Sequence, residues 1–506
     1  MPLSENNTTA DPDFIGLKHR SVDGAVATAA SQGVKFLLSF VSQIWLARLI
    51  SPAEYGLVAM VAPILGFIGI ISDLGIGTAL VQQKSISQSQ ISSLFWLNGA
   101  LSLAVSLGLI AISPAVGLLY HEPKTIAITM AMAAMFFVGS LGIYPAAILT
   151  REMRLVARAV IECIAAFVGL VVGVLTAKAG WGYWSLIYLQ AAATVTGLLL
   201  TWWFARWMPS RPLWDRSVGH IMRFGSSLTV SNIAVYFSMS ADNMIVGAVK
   251  GKVALGLYDK AYRLVAVQLL QLSAPIGRVA IPLLSRLLGD PPRYASAFRR
   301  MVQLPNLISI PALICGMFLS PQIVHVFLGP TWSGISPVFS WVCVGGLASS
   351  LYGSASWLFT SQGRGRDQMK WSVITSLISI ASFVIGIRWG AVGVASVAGV
   401  GFVAVQTPLI VMAATKTGPV STRFVIDAMA PVVFSFAVTA PTVYLYAKFA
   451  HFNVIGELCC GVVLAHAVFL GAVSIMSSGR EMLSGTTTLV LAYLSRLRAS
   501  FQRATA

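Results

Sequence analysis

Apolar runs of about 20 residues recur along the whole chain and alternate with short polar segments. A helix of that length can cross a hydrocarbon core of about 30 Å. We therefore predict an all-α polytopic membrane protein with about fourteen transmembrane helices. A transmembrane β-barrel would instead show alternating segments of about ten residues. The predicted spans are residues 24–47, 55–78, 91–114, 125–148, 159–177, 183–205, 224–248, 255–280, 301–320, 335–360, 371–387, 391–414, 428–447 and 453–477.

The composition supports this class. Hydrophobic residues make up 57% of the 506 residues, charged residues make up 10%, and the mean hydropathy is +0.80. Soluble domains are about 45–50% apolar and about 25% charged. Residues 1–23 are polar, and the first apolar run is too long for the core of a signal peptide. We therefore expect no cleavable signal, and we expect the first run to remain as a span.

The formal net charge of +17 is high enough to suggest a nucleic-acid partner. The distribution of the charges argues against that interpretation. If the N-terminus lies inside, cytoplasmic segments hold 23 of the 34 Lys and Arg residues, and the outer loops hold seven. This asymmetry follows the positive-inside rule. It predicts a multi-pass protein of the bacterial inner membrane with both termini in the cytoplasm, with membrane lipids rather than nucleic acid around it.

An internal repeat predicts two lobes. "GAVATAASQGVKFLLSFVSQIWLARLISPAEYGLVAM" begins at Gly24, and the similar "GSSLTVSNIAVYFSMSADNMIVGAVKGKVALGLYDKA" begins at Gly225. Six predicted spans separate the two copies, so both lobes would enter the membrane in the same direction. We expect a symmetry axis along the membrane normal and a site between the lobes.

The predicted organisation follows from the repeat and the spans. For the last segment, residues 478–506, two interpretations remain open: an amphipathic helix at the membrane surface, or a solvated tail. The segments are a cytoplasmic N-terminal tail (1–23), an N-lobe of six helices (24–205), a cytoplasmic inter-lobe loop (206–223), a C-lobe of six helices (224–414), two further helices (415–477) and a cytoplasmic tail (478–506).

Several charged side chains fall inside the predicted spans. Lys35 lies in a polar stripe of the first span, and a stripe of the eighth span contains three cations and an amide. A charge at the bilayer centre costs about 2.5–3.5 kcal/mol, so we expect these groups to face a wet cavity. Arg and Lys in such a cavity favour an anionic ligand such as a lipid diphosphate. The predicted substrate-binding residues are Lys35, Lys260, Arg263, Gln271 and Arg278.

Other roles for these groups remain open. Asp259 stands four residues before Arg263 and could simply pair with it, and Asp242 could pair with Lys250. Arg278 could be a substrate ligand or could snorkel to the interface. The acids Asp73, Glu162 and Asp242 are candidates for ion or proton coupling, with an ordinary buried hydrogen bond as the alternative for each.

Enzyme signatures are absent from the sequence. It contains no Walker A motif, no Gly-x-Ser-x-Gly and no His-Glu-x-x-His. The five cysteines fall in predicted spans without metal-ligand spacing. We therefore predict a protein that is not an enzyme, with no catalytic residue, metal or cofactor.

Five stretches carry a resemblance to a known family: "ARLISPAEYGLVAM" (47–60), "DLGIGTALVQQK" (73–84), "RFGSSLTVSN" (223–232), "DNMIVGAVKGKVALGLYDKAYRL" (242–264) and "APIGRVAIPLLSRL" (274–287). In order and spacing the chain resembles, from about residue 24 to 415, the polysaccharide transporter branch of the multidrug/oligosaccharidyl-lipid/polysaccharide (MOP) exporter superfamily. Within it, the chain is similar to the Wzx-type flippases of lipopolysaccharide and exopolysaccharide biosynthesis. Asp242, Tyr258, Tyr262 and Arg263 match the family motif.

The resemblance implies two six-helix lobes that form a V and flip an undecaprenyl-diphosphate-linked oligosaccharide by alternating access. It also implies energy from an ion gradient, and the polymerase and export machinery of the same pathway as partners. Two other classes remain open. A membrane oligosaccharide polymerase or ligase would carry a large outer loop, whereas the longest here, about residues 321–334, is short. A multidrug exporter of the same superfamily would favour acids in its cavity.

Overall fold

The computed structural model describes residues 12–73, 87–210, 218–450 and 452–485. Within these ranges the description excludes the side chains of residues 12–30, 67–73, 218–235, 237–239, 267–268 and 271–272. Every regular element in the described ranges is a helix, and these ranges contain no strand. The predicted all-α fold class is confirmed. The proposed amphipathic segment near residues 490–501 lies outside the described residues.

The chain divides into two compact units, residues 1–237 and 238–506. The division falls after the predicted inter-lobe loop at 206–223, and the predicted domain bounds stay a prediction. The helices of unit 1 are α1 (Pro12–Leu49), α2 (Pro52–Asp73), α3 (Gln88–Tyr120), α4 (Lys124–Ser140), α5 (Ile143–Arg151), α6 (Leu155–Lys178) and α7 (Trp184–Ala205).

The division lies within the next helix, α8 (Val218–Tyr262). Unit 2 also contains short 3₁₀-helices at Pro330–Ile335 and Ile387–Trp389, and π-helices at Arg263–Val267 and Phe402–Gln406. Its further α-helices are α9 (Gln268–Arg286), α10 (Pro291–Phe318), α11 (Ser320–Phe327), α12 (Ser336–Gly346), α13 (Ser349–Ser361), α14 (Gly365–Gly386), α15 (Gly390–Gly401), α16 (Thr407–Thr415), α17 (Thr422–Phe449) and α18 (Val454–Ile475).

In the described part of the chain, nine helical stretches are long and apolar enough to cross a membrane. One of them, Gly365–Thr415, is 51 residues long and contains two of the predicted spans, 371–387 and 391–414. A stretch that long exceeds the roughly 20 residues that one crossing needs. The polytopic membrane class is therefore confirmed, and the count of fourteen crossings stays a prediction.

Small residues set the closest helix contact in unit 1. A Cβ atom at Gly169 would lie 2.9 Å from the carbonyl oxygen of Leu189, and one at Gly173 would lie 2.9 Å from the Cβ of Leu189. Glycines four residues apart let membrane helices approach backbone to backbone. This spacing therefore lets α6 pack closely against α7 around Leu189.

The last two helices are part of unit 2. Gln303 on α10 donates its Nε2 to the carbonyl oxygen of Ala428 on α17 at 2.6 Å. The Arg299 guanidinium lies 4.7 Å from the centre of the Phe424 ring. Phe469 of α18 is fully buried in the same apolar core as α10. The two spans that follow the internal repeat thus complete the core of unit 2.

Candidate functional site

The polar residues of predicted spans seven and eight face each other across a chain reversal. The Tyr258 hydroxyl donates to Asp242 Oδ2 at 2.9 Å. Sixteen residues of straight helix would separate these positions by about 24 Å. The chain reverses within α8 at Gly251, where φ is 76° and ψ is −176°. This reversal makes α8 a hairpin whose two limbs run antiparallel.

Four hydrogen bonds, two of them between the limbs, form a group at the hairpin that we call the hairpin network. Asp242 accepts from the Tyr258 hydroxyl and, at 2.7 Å, from the backbone N–H of Asn243. Asn243 Nδ2 donates to Asp259 Oδ1 at 3.0 Å. Arg263 Nε donates to Asp259 Oδ2 at 2.7 Å. The pairing of Asp259 with Arg263, which the sequence left as an alternative, is therefore present. Asp242 is instead held by Tyr258 and Asn243, and not by the other suggested partner, Lys250.

Burial differs strongly within this network. Asp242 and Asp259 are 4% and 7% exposed, so each carboxylate depends on its hydrogen bonds for solvation. The Arg263 side chain is 46% exposed. Arg263 therefore pairs with Asp259 through Nε while its side chain remains partly exposed.

Lys260 lies inside unit 2 rather than beside Arg263. It is 2% exposed, and its Nζ lies 5.8 Å from the centre of the Trp332 ring. A cation at this distance from an indole face is stabilised by the ring quadrupole. Lys260 is therefore buried with its ammonium near the Trp332 indole.

The projection placed Lys260, Arg263, Gln271 and Arg278 on one helix face, but their burial in the structure differs. Arg263 and Arg278 are exposed, whereas Lys260 is buried. The π-helix at Arg263–Val267 also interrupts the α-helix between these positions. Its wider turn changes the angular spacing of everything that follows, so a straight-helix projection no longer applies. The Gln271 side chain lies outside the described residues, and the binding roles of the four residues stay predictions.

A second group joins α1 to α6 in unit 1, and we call it the Glu162 cluster. Lys35 Nζ lies 2.8 Å from Glu162 Oε2, and Arg158 Nε lies 3.1 Å from Glu162 Oε1. Arg158 Nη1 also donates to the Thr150 hydroxyl at 2.6 Å. The predicted substrate base Lys35 and the predicted coupling acid Glu162 are thus direct partners.

The Glu162 cluster holds two cations and one carboxylate, so its formal charge is +1. The side chains of Lys35, Glu162 and Arg158 are 34%, 31% and 46% exposed. Partial exposure in an apolar span leaves these oxygens and nitrogens accessible to another charged group. An incoming anion could therefore replace the carboxylate as a partner of Lys35 without leaving either charge unsolvated.

The remaining predicted residue, Asp73, ends α2, and its side chain lies outside the described residues. Among the described residues, no group of three or more His, Cys, Asp or Glu side chains could hold a metal ion. The sequence interpretation missed three participants. Arg158 was visible as an i,i+4 partner of Glu162, and Asn243 faces Asp259 only once the reversal at Gly251 is known. Trp332 gave no local signal.

Comparison with curated proteins places the chain among polysaccharide biosynthesis proteins. It is 27% identical over 401 residues to "Lipopolysaccharide biosynthesis protein WzxC" of Escherichia coli (strain K12), covering 78% of this chain and 80% of the relative. It is also 27% identical over 319 residues to "Succinoglycan biosynthesis transport protein ExoT" of Rhizobium meliloti (strain 1021), covering 62% of this chain and 63% of the relative.

Solved structures share the fold. The "Lipid II flippase MurJ, inward closed conformation" matches with a TM-score of 0.72 at 14% identity, covering 90% of this chain and 98% of that chain. An inward-facing multidrug resistance MATE family transporter of the MOP superfamily matches with a TM-score of 0.58 at 16% identity, covering 78% of this chain and 99% of that chain. At these identities the likeness shows a common fold and nothing about the ligand.

The family comparison identifies the group to which the chain belongs. A family model described as "Polysaccharide biosynthesis protein" matches residues 45–337, which is more than half of the chain. The match includes both limbs of the α8 hairpin. It also includes every member of the Glu162 cluster except Lys35. The resemblance noted in the sequence is confirmed, and the chain belongs to this family of polysaccharide biosynthesis proteins, with the fold of the MOP transporters.

Proposed function

We propose that this protein is a flippase that moves an undecaprenyl-diphosphate-linked oligosaccharide across the bacterial inner membrane by alternating access. The observation that carries the proposal is the cation surplus of the Glu162 cluster inside an apolar span of a polysaccharide biosynthesis protein. A transporter of a lipid diphosphate needs cations that can exchange partners at membrane depth. Relatives named for lipopolysaccharide biosynthesis and succinoglycan transport support the same class of cargo.

The proposed role of Lys35 is to bind a phosphate oxygen in place of Glu162. The Lys35 ammonium already makes a 2.8 Å contact with an anionic oxygen, so the exchange replaces one charge-assisted contact by another. Arg158 holds Glu162 from the other side at 3.1 Å. The carboxylate released by Lys35 would therefore keep a partner, which makes the exchange reversible.

Arg263 is the proposed phosphate ligand in unit 2. Its half-exposed guanidinium bonds Asp259 through Nε, and a planar guanidinium suits phosphate oxygens. Lys260 fits this role less well because it is buried near Trp332. Gln271 and Arg278 remain proposed contributors.

Energy from an ion gradient remains part of the proposal. The candidates for coupling are Asp73, Glu162 and Asp242. Glu162 fits because it is partly exposed and pairs with two cations, whereas Asp242 is buried and bonded to Tyr258. We propose both termini in the cytoplasm and, as partners, the polymerase and export machinery of the same pathway. No catalytic step is proposed.

Depletion of the protein in its host tests the proposal. Lipid-linked glycan should accumulate on the inner leaflet, and the wild-type gene should restore export. Lys35→Glu should insert stably yet fail to restore it, because it places like charges beside Glu162. The matched control is Lys124→Glu, which changes a lysine that lies near the Tyr183 ring, outside the Glu162 cluster. Normal glycan distribution after depletion would reject the flippase, and normal export by Lys35→Glu would remove Lys35 from its site.

A further inference from the structure

A small cavity opens in unit 1 where the turn between α5 and α6 meets the end of α7. Its volume is about 310 Å³, and it is lined by Arg154, Trp203, Phe204 and Arg206. Ligand pockets range from about 300 to 1,000 Å³, so this cavity accommodates a small polar group. Two guanidinium groups and two aromatic rings therefore define its chemistry.

The backbone around Arg206 is held in one conformation. Arg206 caps α7 with φ 47° and ψ 30°, and its N–H donates to the Trp202 carbonyl oxygen. The next four residues, 207–210, form a strap across the start of α3. The Trp207 indole N–H donates to Gln88 Oε1 at 2.8 Å, and Gln88 Nε2 donates to the Met208 carbonyl oxygen at 3.0 Å.

Further contacts fasten the far end of the strap. The Ser210 N–H donates to the Ser92 hydroxyl at 3.0 Å, and the Trp96 indole donates to the Ser210 carbonyl oxygen at 3.0 Å. These four hydrogen bonds to α3 place Arg206 on a rigid support. A preorganised backbone lowers the entropic cost of binding a ligand at Arg206.

An aromatic cluster supports the strap from beneath. The Phe95 ring lies edge-on to the rings of Tyr144, Trp202 and Trp207, with centroid distances of 6.1, 5.9 and 5.6 Å. Trp207 itself is 9% exposed. The cavity wall is thus built on a packed core, and both arginines that line the cavity are exposed.

The charge at the cavity is positive. The acid near Arg154 is Glu152, whose Oε2 lies 3.5 Å from Arg154 Nη1, with both side chains nearly half exposed. An ion pair at this distance and exposure is weak, so a phosphate could compete with it. Arg154 and Arg206 together outnumber this carboxylate, which favours a ligand with negative charge.

The apolar side chains around Arg206 indicate a lipid rather than a free ion. Trp203 is 75% exposed and Met208 is 79% exposed. Tryptophan concentrates at the boundary between the hydrocarbon core and the headgroups. A free phosphate gains nothing from such neighbours, whereas a phospholipid places its phosphate at the arginines and its glycerol and acyl groups at the exposed apolar surface.

We propose that this cavity binds the phosphate headgroup of an anionic membrane phospholipid, at the membrane face predicted to be cytoplasmic. Basic pockets between helices on that face suit anionic headgroups. The inference does not depend on the proposed flippase activity, because the lipid is a bound component of unit 1 and not cargo.

Lipid binding to the purified full-length protein tests this inference. Native mass spectrometry should show retention of phosphatidylglycerol in preference to phosphatidylcholine. The double variant Arg154→Gln/Arg206→Gln should bind phosphatidylglycerol about a hundredfold more weakly, because it removes two charge-assisted hydrogen bonds that each contribute about tenfold. Arg154→Lys/Arg206→Lys should bind with intermediate affinity, because the charge remains and the planar donors are lost.

The matched control is Arg286→Gln/Arg293→Gln, which removes two exposed arginines from a predicted inner loop of unit 2. It should bind phosphatidylglycerol like the wild type. Trp203→Ala should weaken phosphatidylglycerol binding and leave the binding of inorganic phosphate unchanged. Equal losses of phosphatidylglycerol binding in Arg154→Gln/Arg206→Gln and in the control Arg286→Gln/Arg293→Gln would overturn the site. Equal retention of the two lipids, or inorganic phosphate that competes as strongly as phosphatidylglycerol, would overturn the assignment to an anionic lipid.

Discussion

Asn243 and Asp259 lie on opposite limbs of the α8 hairpin, and Asn243 Nδ2 donates to Asp259 Oδ1 at 3.0 Å. Because Arg263 bonds the other oxygen of the same carboxylate at 2.7 Å, Asp259 has partners on both sides. The hairpin network therefore ties the reversal at Gly251 to the guanidinium proposed to meet the substrate. Changes to the two members of the ion pair should consequently have unequal effects.

Arg263→Gln should destabilise the protein more than Asp259→Asn. Arg263→Gln leaves the buried Asp259 carboxylate without its cation, whereas Asp259→Asn leaves a guanidinium that is 46% exposed and therefore solvated. Leaving one charge of a buried pair uncompensated costs about 3–5 kcal/mol, and we expect Arg263→Gln to lie below that range because the pair is partly exposed. Thermal unfolding of the purified variants measures the difference.

The double variant Asp259→Asn/Arg263→Gln separates structure from binding. Removing both charges restores neutrality, so the protein level in the membrane should recover. Export should stay impaired if Arg263 meets the substrate phosphate. Recovery of both level and glycan export in the double variant would return Arg263 to a purely structural role.

Gly251→Ala should destabilise the hairpin by about 1–3 kcal/mol, because a φ of 76° with a ψ of −176° is a conformation that essentially only glycine adopts. No atom lies within 4 Å of the added Cβ, so the cost is backbone strain rather than a clash. The control is Gly108→Ala in α3, which also has open space around the Cβ. That change in a helix interior should stabilise by about 0.5–1 kcal/mol. Similar melting temperatures for the two variants would contradict the strained reversal.

Lys35→Gln should change export far more than stability. The Lys35–Glu162 pair is about one-third exposed, and exposed pairs contribute about 1 kcal/mol or less. Lys35→Arg should retain part of the export activity because the charge is kept. Thermal unfolding and glycan export, measured on the same variants, give the comparison. A loss of export that follows the loss of folded protein in all variants would argue for a structural Lys35.

Arg364→Lys should destabilise the C-terminal end of α16 by about 1–3 kcal/mol. The Arg364 guanidinium donates to the carbonyl oxygens of Ala413, Ala414 and Thr417 at 2.9–3.1 Å, which satisfies groups at a helix C-terminus. A lysine ammonium lacks the planar fork that reaches these oxygens. The neighbouring Arg366→Lys, at an exposed position, is the control and should unfold like the wild type.

Reporter fusions test the proposed orientation. A reporter that is active only in the cytoplasm should give signal when fused after residue 290, because both termini and the arginine-rich loops are predicted to lie inside. The same reporter should be silent after residue 330. Signal after residue 330 would reject both the orientation and the two-lobe repeat.

Much of the fold followed from local sequence properties. Apolar runs of about 20 residues predicted the helices because a backbone in lipid must satisfy its hydrogen bonds within one segment. The spacing of four between Asp259 and Arg263 predicted their pairing because such residues lie one turn apart on a helix. The number of crossings was harder to define, because glycine-rich and π-helical stretches join neighbouring runs such as Gly365–Thr415.

Contacts between distant residues required the tertiary structure. Lys35 had no acid nearby in its own helix, and its partner Glu162 is 127 residues away on α6. Lys260 was placed on an accessible stripe, but it is buried near Trp332 of a 3₁₀-helix. The sequence by itself determined which segments are helices and which charges they carry, because hydropathy and i,i+4 spacing are local. Only the packing of those helices decided which charge met which partner, because a periodic apolar pattern specifies a buried face and not the neighbour that buries it.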